Sequence, residues 1–215
     1  MNAAAQVSSI MRADPLRWHL LAVVRALDLP DCWIGAGFVR NAIWDNLHKR
    51  SPSPLTGDVD VIWYNVSRTD PDEDRDLEAV LQALEPSIAW SVKNQARMHT
   101  RNGDAPYASA VDAMRCWPET ATAVAARRCG ADGCEIAAPL GLEDLTNLIL
   151  RPTPRFTGAK RSVYEERLQD KGWLAAWPML RTAEDHPPNP DTIRLRTFGF
   201  STMLSNGRQI RQHRN

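Results

Sequence analysis

The sequence has no excess of charge of either sign, because 26 lysines and arginines balance 26 aspartates and glutamates. Proteins that bind duplex nucleic acid without sequence specificity rely on surplus basic charge to displace counterions. The balance argues against that function for the chain as a whole, although a local basic groove stays compatible with it. Long apolar runs are also missing, and no segment approaches the roughly 20 residues that span a bilayer. We therefore expect no membrane partner.

Cysteine is scarce, and its spacing is typical neither of a disulfide framework nor of a structural zinc site. Only Cys129 and Cys134 of the four cysteines lie close together, whereas structural zinc normally needs two close pairs of ligands. The N-terminal segment also lacks the compact apolar stretch and cleavage site of a secretory leader. These absences predict a reduced, cytoplasmic protein.

What the chain does contain is an alternation of helical and strand patterns. A helix is predicted over 14–29, with Asp14 as its N-cap before Pro15. Further helices are predicted over 38–48, 76–85, 141–150 and 164–177, and an acidic loop over 68–76. Strands are predicted at 32–34, 58–64, 88–99, 120–128 and 134–139. The pattern indicates a helix-and-strand domain over residues 1–180 and an irregular, flexible tail over 181–215.

The sharpest local feature is the pair of carboxylates in Asp58-Val59-Asp60. Side chains two apart on a strand point to the same face, with Cα atoms roughly 7 Å apart. Two carboxylates placed in this way suit a hard divalent cation that also binds phosphate oxygens, such as Mg²⁺ or Mn²⁺. A solvated strand end with two acidic residues is the alternative.

A glycine turn stands some twenty residues upstream of that pair. Gly35, Ala36 and Gly37 join a predicted strand to a predicted helix. Small residues let the backbone approach phosphates closely, and a helix N-terminus offers free amides to an anion. The turn alone is weak evidence, but a phosphate turn, a helix and paired carboxylates on the next strand form a stronger combination. These three turn residues are therefore candidates for nucleotide binding.

At this point the sequence resembles the nucleotidyltransferase superfamily, which includes DNA polymerase beta, the tRNA CCA-adding enzymes and aminoglycoside nucleotidyltransferases. The segment AGFVRN at 36–41 is similar to the CCA-adding signature Gly-Gly-x-Val-Arg-Asp, with an Asp-x-Asp strand at the expected distance. Ala36 replaces the first glycine, and Asn41 stands where aspartate is usual. The resemblance implies an α/β (α+β) fold with a mixed, mostly antiparallel sheet and helices packed on it.

A second resemblance extends over about residues 15–180. The segments WSVKNQARMH (90–99), WPETATAV (117–124) and IAAPLGLEDL (136–145) are similar to those of a bacterial family of nucleotidyltransferase-like proteins. This resemblance is specific for the family and does not indicate the substrate.

The superfamily also implies a third carboxylate from a later strand. Glu135 is the leading candidate, because it lies on a β-like segment between apolar residues; it would hold a second cation and help to deprotonate an acceptor. A surface position on an edge strand is an equally good interpretation. Asp112, on a predicted helix, is a weaker candidate. Alternatively, Lys93 and Asn94 occupy the usual carboxylate position, and a cation there implies altered or lost catalysis.

Several cations are candidates for phosphate or substrate contact. Arg40, on the helix after the glycine turn, is better placed than the others. Lys93, Arg97 and His99 share one parity on a predicted strand, so they either line a binding face or form its polar, solvent-exposed side.

The leading functional prediction is metal-dependent nucleotidyl transfer from a nucleoside triphosphate to an unknown hydroxyl acceptor. Asp58, Asp60 and Glu135 are the predicted catalytic residues, and the first two hold Mg²⁺ or Mn²⁺. The acceptor is a small molecule, RNA or a protein, and the balanced charge slightly favours a small molecule. The alternatives are a non-catalytic nucleotide-binding module and a toxin–antitoxin component that acts on RNA or a protein.

Overall fold

A five-stranded mixed sheet forms the centre of the protein, in a computed structural model that describes residues 2–184. Its strands are β1 (Trp33–Gly35), β2 (Val59–Trp63), β3 (Trp90–Asn94), β4 (Ala125–Cys129) and β5 (Gly133–Ala137). They lie in the order β3-β2-β1-β4-β5. The β2–β3 pair is parallel and the other three pairs are antiparallel. The mixed, mostly antiparallel sheet implied by the resemblance is thus confirmed.

Helices precede, connect and follow these strands. They are α1 (Ala3–Ala13), α2 (Pro15–Arg25), α3 (Gly37–Leu47), α4 (Pro71–Leu84), α5 (Gln95–Asn102), α6 (Ala110–Met114), α7 (Glu143–Thr146), α8 (Arg161–Lys171) and α9 (Trp173–Ala176). Two short strands, β6 (Ile149–Leu150) and β7 (Arg181–Thr182), pair in parallel beside the main sheet. Within residues 2–184, no helix is long and apolar enough to cross a membrane.

The two faces of the sheet differ in what covers them. Val59, Val61 and Trp63 alternate onto one face of β2, where they are buried with Ile34 and Val92 in the main core. The first four helices supply the opposite wall of this core. Since side chains alternate along a strand, the intervening residues of β2 must lie on the other face. That alternation places Asp60 outside the main core.

Local capping explains where α2 and α4 begin. Asp14 accepts a hydrogen bond from the Arg17 amide, and Pro15 is the first residue of α2, as predicted. For α4 the predicted acidic loop at 68–76 is wrong, because the helix already begins at Pro71 behind the N-cap Asp70. The acidic residues at 72–74 fill its first turn, where the helix dipole favours negative charge.

The single strand predicted over 88–99 is wrong. β3 ends at Asn94, whose side chain accepts a hydrogen bond from the Ala96 amide and caps α5. Arg97 and His99 therefore lie on a helix and do not share a strand face with Lys93. Arg97 pairs with buried Asp74 instead.

Other element boundaries, in the C-terminal part of the chain, also differ from the predictions. The helix predicted over 141–150 ends at Thr146, and Ile149–Leu150 forms β6. The helix predicted over 164–177 is divided by Gly172, which takes a left-handed φ of 59°. The predicted irregular segment from residue 181 opens with β7, which pairs with β6. Its remaining residues, 185–215, lie outside the described part of the chain.

Candidate active site

The site is built around the tight turn between β1 and α3. Ala36 has φ 53° and ψ −124°, a conformation that residues with a side chain rarely adopt. Gly35 has no room for a side chain, because an added Cβ would lie 2.8 Å from the ring of Trp117. No side chain caps α3, and its first amides have no helical acceptor. The turn therefore presents donors and a positive helix end to an anion.

Arg40 lies on the first turn of α3, buried except for 7% of its surface. Its guanidinium donates to Asn41 Oδ1 and to Thr122 Oγ1, at 3.1 and 2.9 Å. The rings of Trp44 and Trp173 lie 5.0 and 4.4 Å from it. These partners are neutral, and within residues 2–184 no carboxylate forms an ion pair with Arg40. Burial lowers the pKa of Arg40 to about 10, and the charges of Glu119 and Asp60 oppose this shift, so Arg40 stays charged at neutral pH.

The two predicted metal ligands stand at the start of β2. Asp58 is exposed just before the strand, and Asp60 is half-buried within it. The pKa of Asp60 is raised, first by burial and then by the charge of Asp58; Arg40 opposes the shift. A carboxylate whose pKa is raised by burial and by a neighbouring carboxylate gains stability when a cation binds beside it. The donor set therefore fits a hard divalent cation.

A cavity of about 250 Å³ opens beside Asp60. Ala36 of the turn and Ile62 of β2 line it, together with Thr122 and Arg167. Its remaining walls come from Val61, Ser91, Lys93, Gln95, Met98, Asn102, Trp117 and Pro118. The structure thus brings together the predicted turn, one predicted carboxylate and Lys93 around a single cavity, with Arg40 hydrogen-bonded to the Thr122 of its wall.

Glu135 is not brought to this site. It lies on β5, and three strand spacings separate β5 from β2, or roughly 14 Å. Its carboxylate is exposed and pairs with Arg127 at 2.5 Å. The expectation that Glu135 converges on Asp58 and Asp60 is therefore wrong, because strand parity alone does not tell how far apart two strands lie in a sheet. The edge-strand interpretation describes its position.

Asp112 does not converge on the site either. Its carboxylate accepts from the Ala108 amide at the start of α6, and it lies 3.8 Å from Arg115. Within residues 2–184, no group of three or more histidine, cysteine, aspartate or glutamate side chains could hold a metal ion. Asp58 and Asp60 are thus a pair of carboxylates without a third member in the described part of the chain.

Lys93 occupies the strand beside β2. In the parallel register Ser91 lies opposite Asp60, and Lys93 lies opposite Ile62, so both share the face of Asp60. The Lys93 Nζ donates to Glu78 Oε1 at 2.7 Å. Lys93 therefore lines the cavity while its charge is already paired.

Two residues of the site, Arg167 and Glu119, give no signal in the sequence. Arg167 extends from α8 into the wall of the cavity. Glu119, which is fully buried, accepts from Arg167 Nε at 2.8 Å. Neither lies near the Asp-x-Asp strand in sequence, and a charged residue on a helix is usually a solvated one. Only the packing of α8 beside Glu119 reveals them.

Comparison with known proteins identifies the family of the chain. A family model described as Nucleotidyltransferase matches residues 22–182. The chain belongs to this nucleotidyltransferase family. The superfamily predicted from the Gly-turn and Asp-x-Asp motifs is therefore confirmed, and nucleotidyl transfer from a nucleoside triphosphate is its general activity. No curated protein matches the chain significantly.

Solved structures show the same fold. One, described as an NMR structure that reveals a CCA-adding enzyme head domain, is 35% identical with a TM-score of 0.73, covering 83% of this chain and 94% of that chain. A CCA-adding enzyme solved in complex with CTP is 14% identical with a TM-score of 0.50. That match covers 90% of this chain but 45% of the CCA-adding enzyme. This chain therefore spans less than half of the length of that enzyme. At this identity the likeness concerns the fold alone.

Proposed function

We propose that this nucleotidyltransferase transfers a nucleoside monophosphate from a nucleoside triphosphate to a hydroxyl acceptor in a reaction that depends on Mg²⁺ or Mn²⁺. Asp58 and Asp60 would hold the cation. When bound, the cation neutralises charge on the triphosphate and on the departing pyrophosphate. The side chains and backbone amides of the site bind and orient the triphosphate.

The observation that carries this proposal is the combination around one cavity. Half-buried Asp60 faces a space of about 250 Å³ that also borders the Ala36 turn. Behind that turn lies the buried Arg40 guanidinium, whose hydrogen bonds go to neutral side chains. An anion at the α3 N-terminus would give Arg40 a charged hydrogen-bond partner, and charge-assisted hydrogen bonds are about twice as strong as neutral ones. A triphosphate meets both requirements.

The turn and Arg40 act together because they are close in space. A Cβ added at Gly37 would lie 3.4 Å from Arg40 Nη2. The guanidinium therefore lies directly beside the first residue of α3. A phosphate held by the α3 amides would feel both the helix dipole and this charge. This geometry supports Gly35, Ala36, Gly37 and Arg40 as nucleotide-binding residues.

The structure constrains the identity of the acceptor less than it constrains the nucleotide. The cavity is small, and the chain has no net surplus of positive charge. Both features favour a small hydroxyl compound, because proteins that grip long nucleic acids need extended basic surface. RNA and protein acceptors are the other outcomes of the test below.

One observation favours a second function, nucleotide binding without turnover. β3, the neighbour of β2, carries Ser91 and Lys93 on the face of Asp60 and has no acid there. A site with two carboxylates would still hold a cation with its nucleotide, but it would lack a side chain that accepts the proton of the acceptor.

Labelled nucleotides distinguish the two functions. The protein is incubated with ATP, CTP, GTP or UTP labelled at the α-phosphate, with Mg²⁺ or Mn²⁺ and a cell extract. Transfer predicts a labelled acceptor and released pyrophosphate, both absent when Asp58 and Asp60 are replaced by asparagine. Binding of nucleotide in calorimetry with no labelled acceptor from any extract supports the binding module. Absence of both binding and transfer contradicts the proposed function.

A further inference from the structure

Two cations of α8 stand one helical turn apart on the side of the cavity. Arg167 lines the cavity together with Asp60 and Ala36. Lys171 follows four residues later, and residues i and i+4 share one face of a helix. The Arg167 guanidinium lies 5.9 Å from the ring centroid of Trp173, the same ring on which Arg40 stacks at 4.4 Å. α8 thus adds positive charge to the part of the site where Arg40 lies.

A buried carboxylate fixes the orientation of Arg167. Glu119 is fully buried, and its two oxygens accept from Arg167 Nε and Nη2 at 2.8 and 3.4 Å. The carbonyl of Glu119 accepts from the Thr122 and Ala123 amides, so the anchor itself is held by the backbone. A fork-shaped pair of this kind sets the direction of a guanidinium as well as its position.

The outer part of that guanidinium is available to a ligand. A third of the Arg167 side chain is exposed, and within residues 2–184 its Nη1 atom donates no hydrogen bond. Lys171 is exposed and forms no ion pair in the same part of the chain. A structural arginine would normally use its donors inside the protein, whereas this one keeps a donor free beside Asp60.

We propose that Arg167 and Lys171 of α8 contact the phosphates of the bound triphosphate, with Glu119 as the residue that positions Arg167. The proposal rests on the proposed function, because it assigns the second wall of the same site. A triphosphate carries about four negative charges at neutral pH, more than Arg40 and the α3 amides can offset. Two further basic residues on α8, Arg167 and Lys171, complete a clamp that binds the polyphosphate. The nucleobase takes no part in this binding.

Inorganic tripolyphosphate tests this assignment because it has the charges without the nucleoside. Its dissociation constant, and that of ATP, are measured by calorimetry with Mn²⁺ for the wild type and for variants of α8. Lys171→Ala should weaken both ligands roughly threefold, and Arg167→Lys roughly tenfold, since lysine keeps the charge but loses the fork. The matched control is Arg161→Ala on the same helix, where Arg161 pairs with Glu165 and Glu184 at the surface. It should bind both ligands as the wild type does.

Removing Arg167 alone would leave Glu119 buried without a partner, which destabilises the fold. The double variant Arg167→Met with Glu119→Gln avoids this and should bind tripolyphosphate 10–100-fold more weakly. The single variant Glu119→Gln should raise the KM for the triphosphate more than it changes kcat, whereas simple unfolding would lower kcat. If the wild type binds no triphosphate, the proposed function fails. If it binds and the α8 variants bind equally well, the clamp is wrong and the proposed function stands.

Discussion

Asp60 and Glu135 lie on the same face of the same sheet and have opposite surroundings. Asp60 is half-buried beside the glycine turn, and within residues 2–184 no side chain pairs with it. Glu135 is exposed on the edge strand and pairs with Arg127. Both looked alike in the sequence, since each stands between apolar neighbours. The difference teaches that a carboxylate that forms no ion pair with a basic side chain, next to a free helix N-terminus, marks the site of ligand binding.

The largest effect is expected when the unpaired carboxylates are removed. In Asp58→Asn with Asp60→Asn, transfer of label should fall roughly 10³-fold or more, about 4 kcal/mol. The rise in melting temperature that Mn²⁺ and ATP give the wild type should disappear. Without ligand the variant should melt no lower than the wild type, because the double substitution removes a buried charge and a like-charge contact. Differential scanning calorimetry checks both points.

The matched control takes two acids from the β4–β5 hairpin. Asp132 and Glu135 are both exposed there, so Asp132→Asn with Glu135→Gln removes the same formal charge. The comparison fails if this control loses the response to Mn²⁺ and ATP, or if the Asp58 and Asp60 variant keeps it.

The next largest effect concerns the buried charge beneath the turn. Arg40→Gln keeps hydrogen-bonding capacity toward Asn41 and Thr122 but removes the charge. The dissociation constant for nucleoside triphosphate should rise roughly 10–100-fold, about 1.4–2.8 kcal/mol. Arg50 is a suitable control, because it also stacks on a tryptophan, Trp177, but at the surface. Equal affinities for Arg40→Gln, Arg50→Gln and the wild type would show that Arg40 only supports the fold.

A smaller effect is expected from crowding the turn. A Cβ at Gly37 has room, with Arg40 Nη2 as its nearest neighbour at 3.4 Å. The branched methyls of Gly37→Val would crowd the guanidinium and the path of a phosphate, so affinity should fall roughly tenfold, about 1.4 kcal/mol. Gly158→Val is the control, since no atom lies within 4 Å of a Cβ there. The affinity of each variant for the triphosphate is measured by calorimetry. Equal affinities for Gly37→Val and Gly158→Val would mean that the turn is structural only.

The part of the site that is contiguous in sequence was predictable. Strand β1, the turn, α3 and β2 follow one another along the chain, so the spacing of Gly35, Arg40 and Asp60 already implies their proximity. The predicted alternation of side chains along β2 is present, with Val59 and Val61 in the core. Asp14 was recognisable as a cap because capping is a local interaction.

The sequence could not provide the order of the strands across the sheet. It also could not show where β3 ends, because the sequence pattern continues past that point. Glu135 has the right parity, but β1 and β4 lie between its strand and β2. Asn94 ends β3 through its own side chain, which changes the period in the middle of an unbroken motif. Arg167 and Glu119 meet only through the packing of α8, 48 residues apart in the chain.

The smallest effect is expected at Glu135 itself, and it sharpens the comparison from the other side. Glu135→Gln removes an exposed ion pair with Arg127, an interaction whose contribution to stability is about 0–1 kcal/mol. Arg127 keeps its stacking on Trp33, with 4.0 Å between the guanidinium and the ring centroid. Because Glu135 lies three strands from Asp60, nucleotide affinity, label transfer and the response to Mn²⁺ should all equal those of the wild type. A loss of transfer with unchanged binding and melting would instead restore Glu135 as the third acid, and would require the β4–β5 hairpin to move toward β2 when substrate binds.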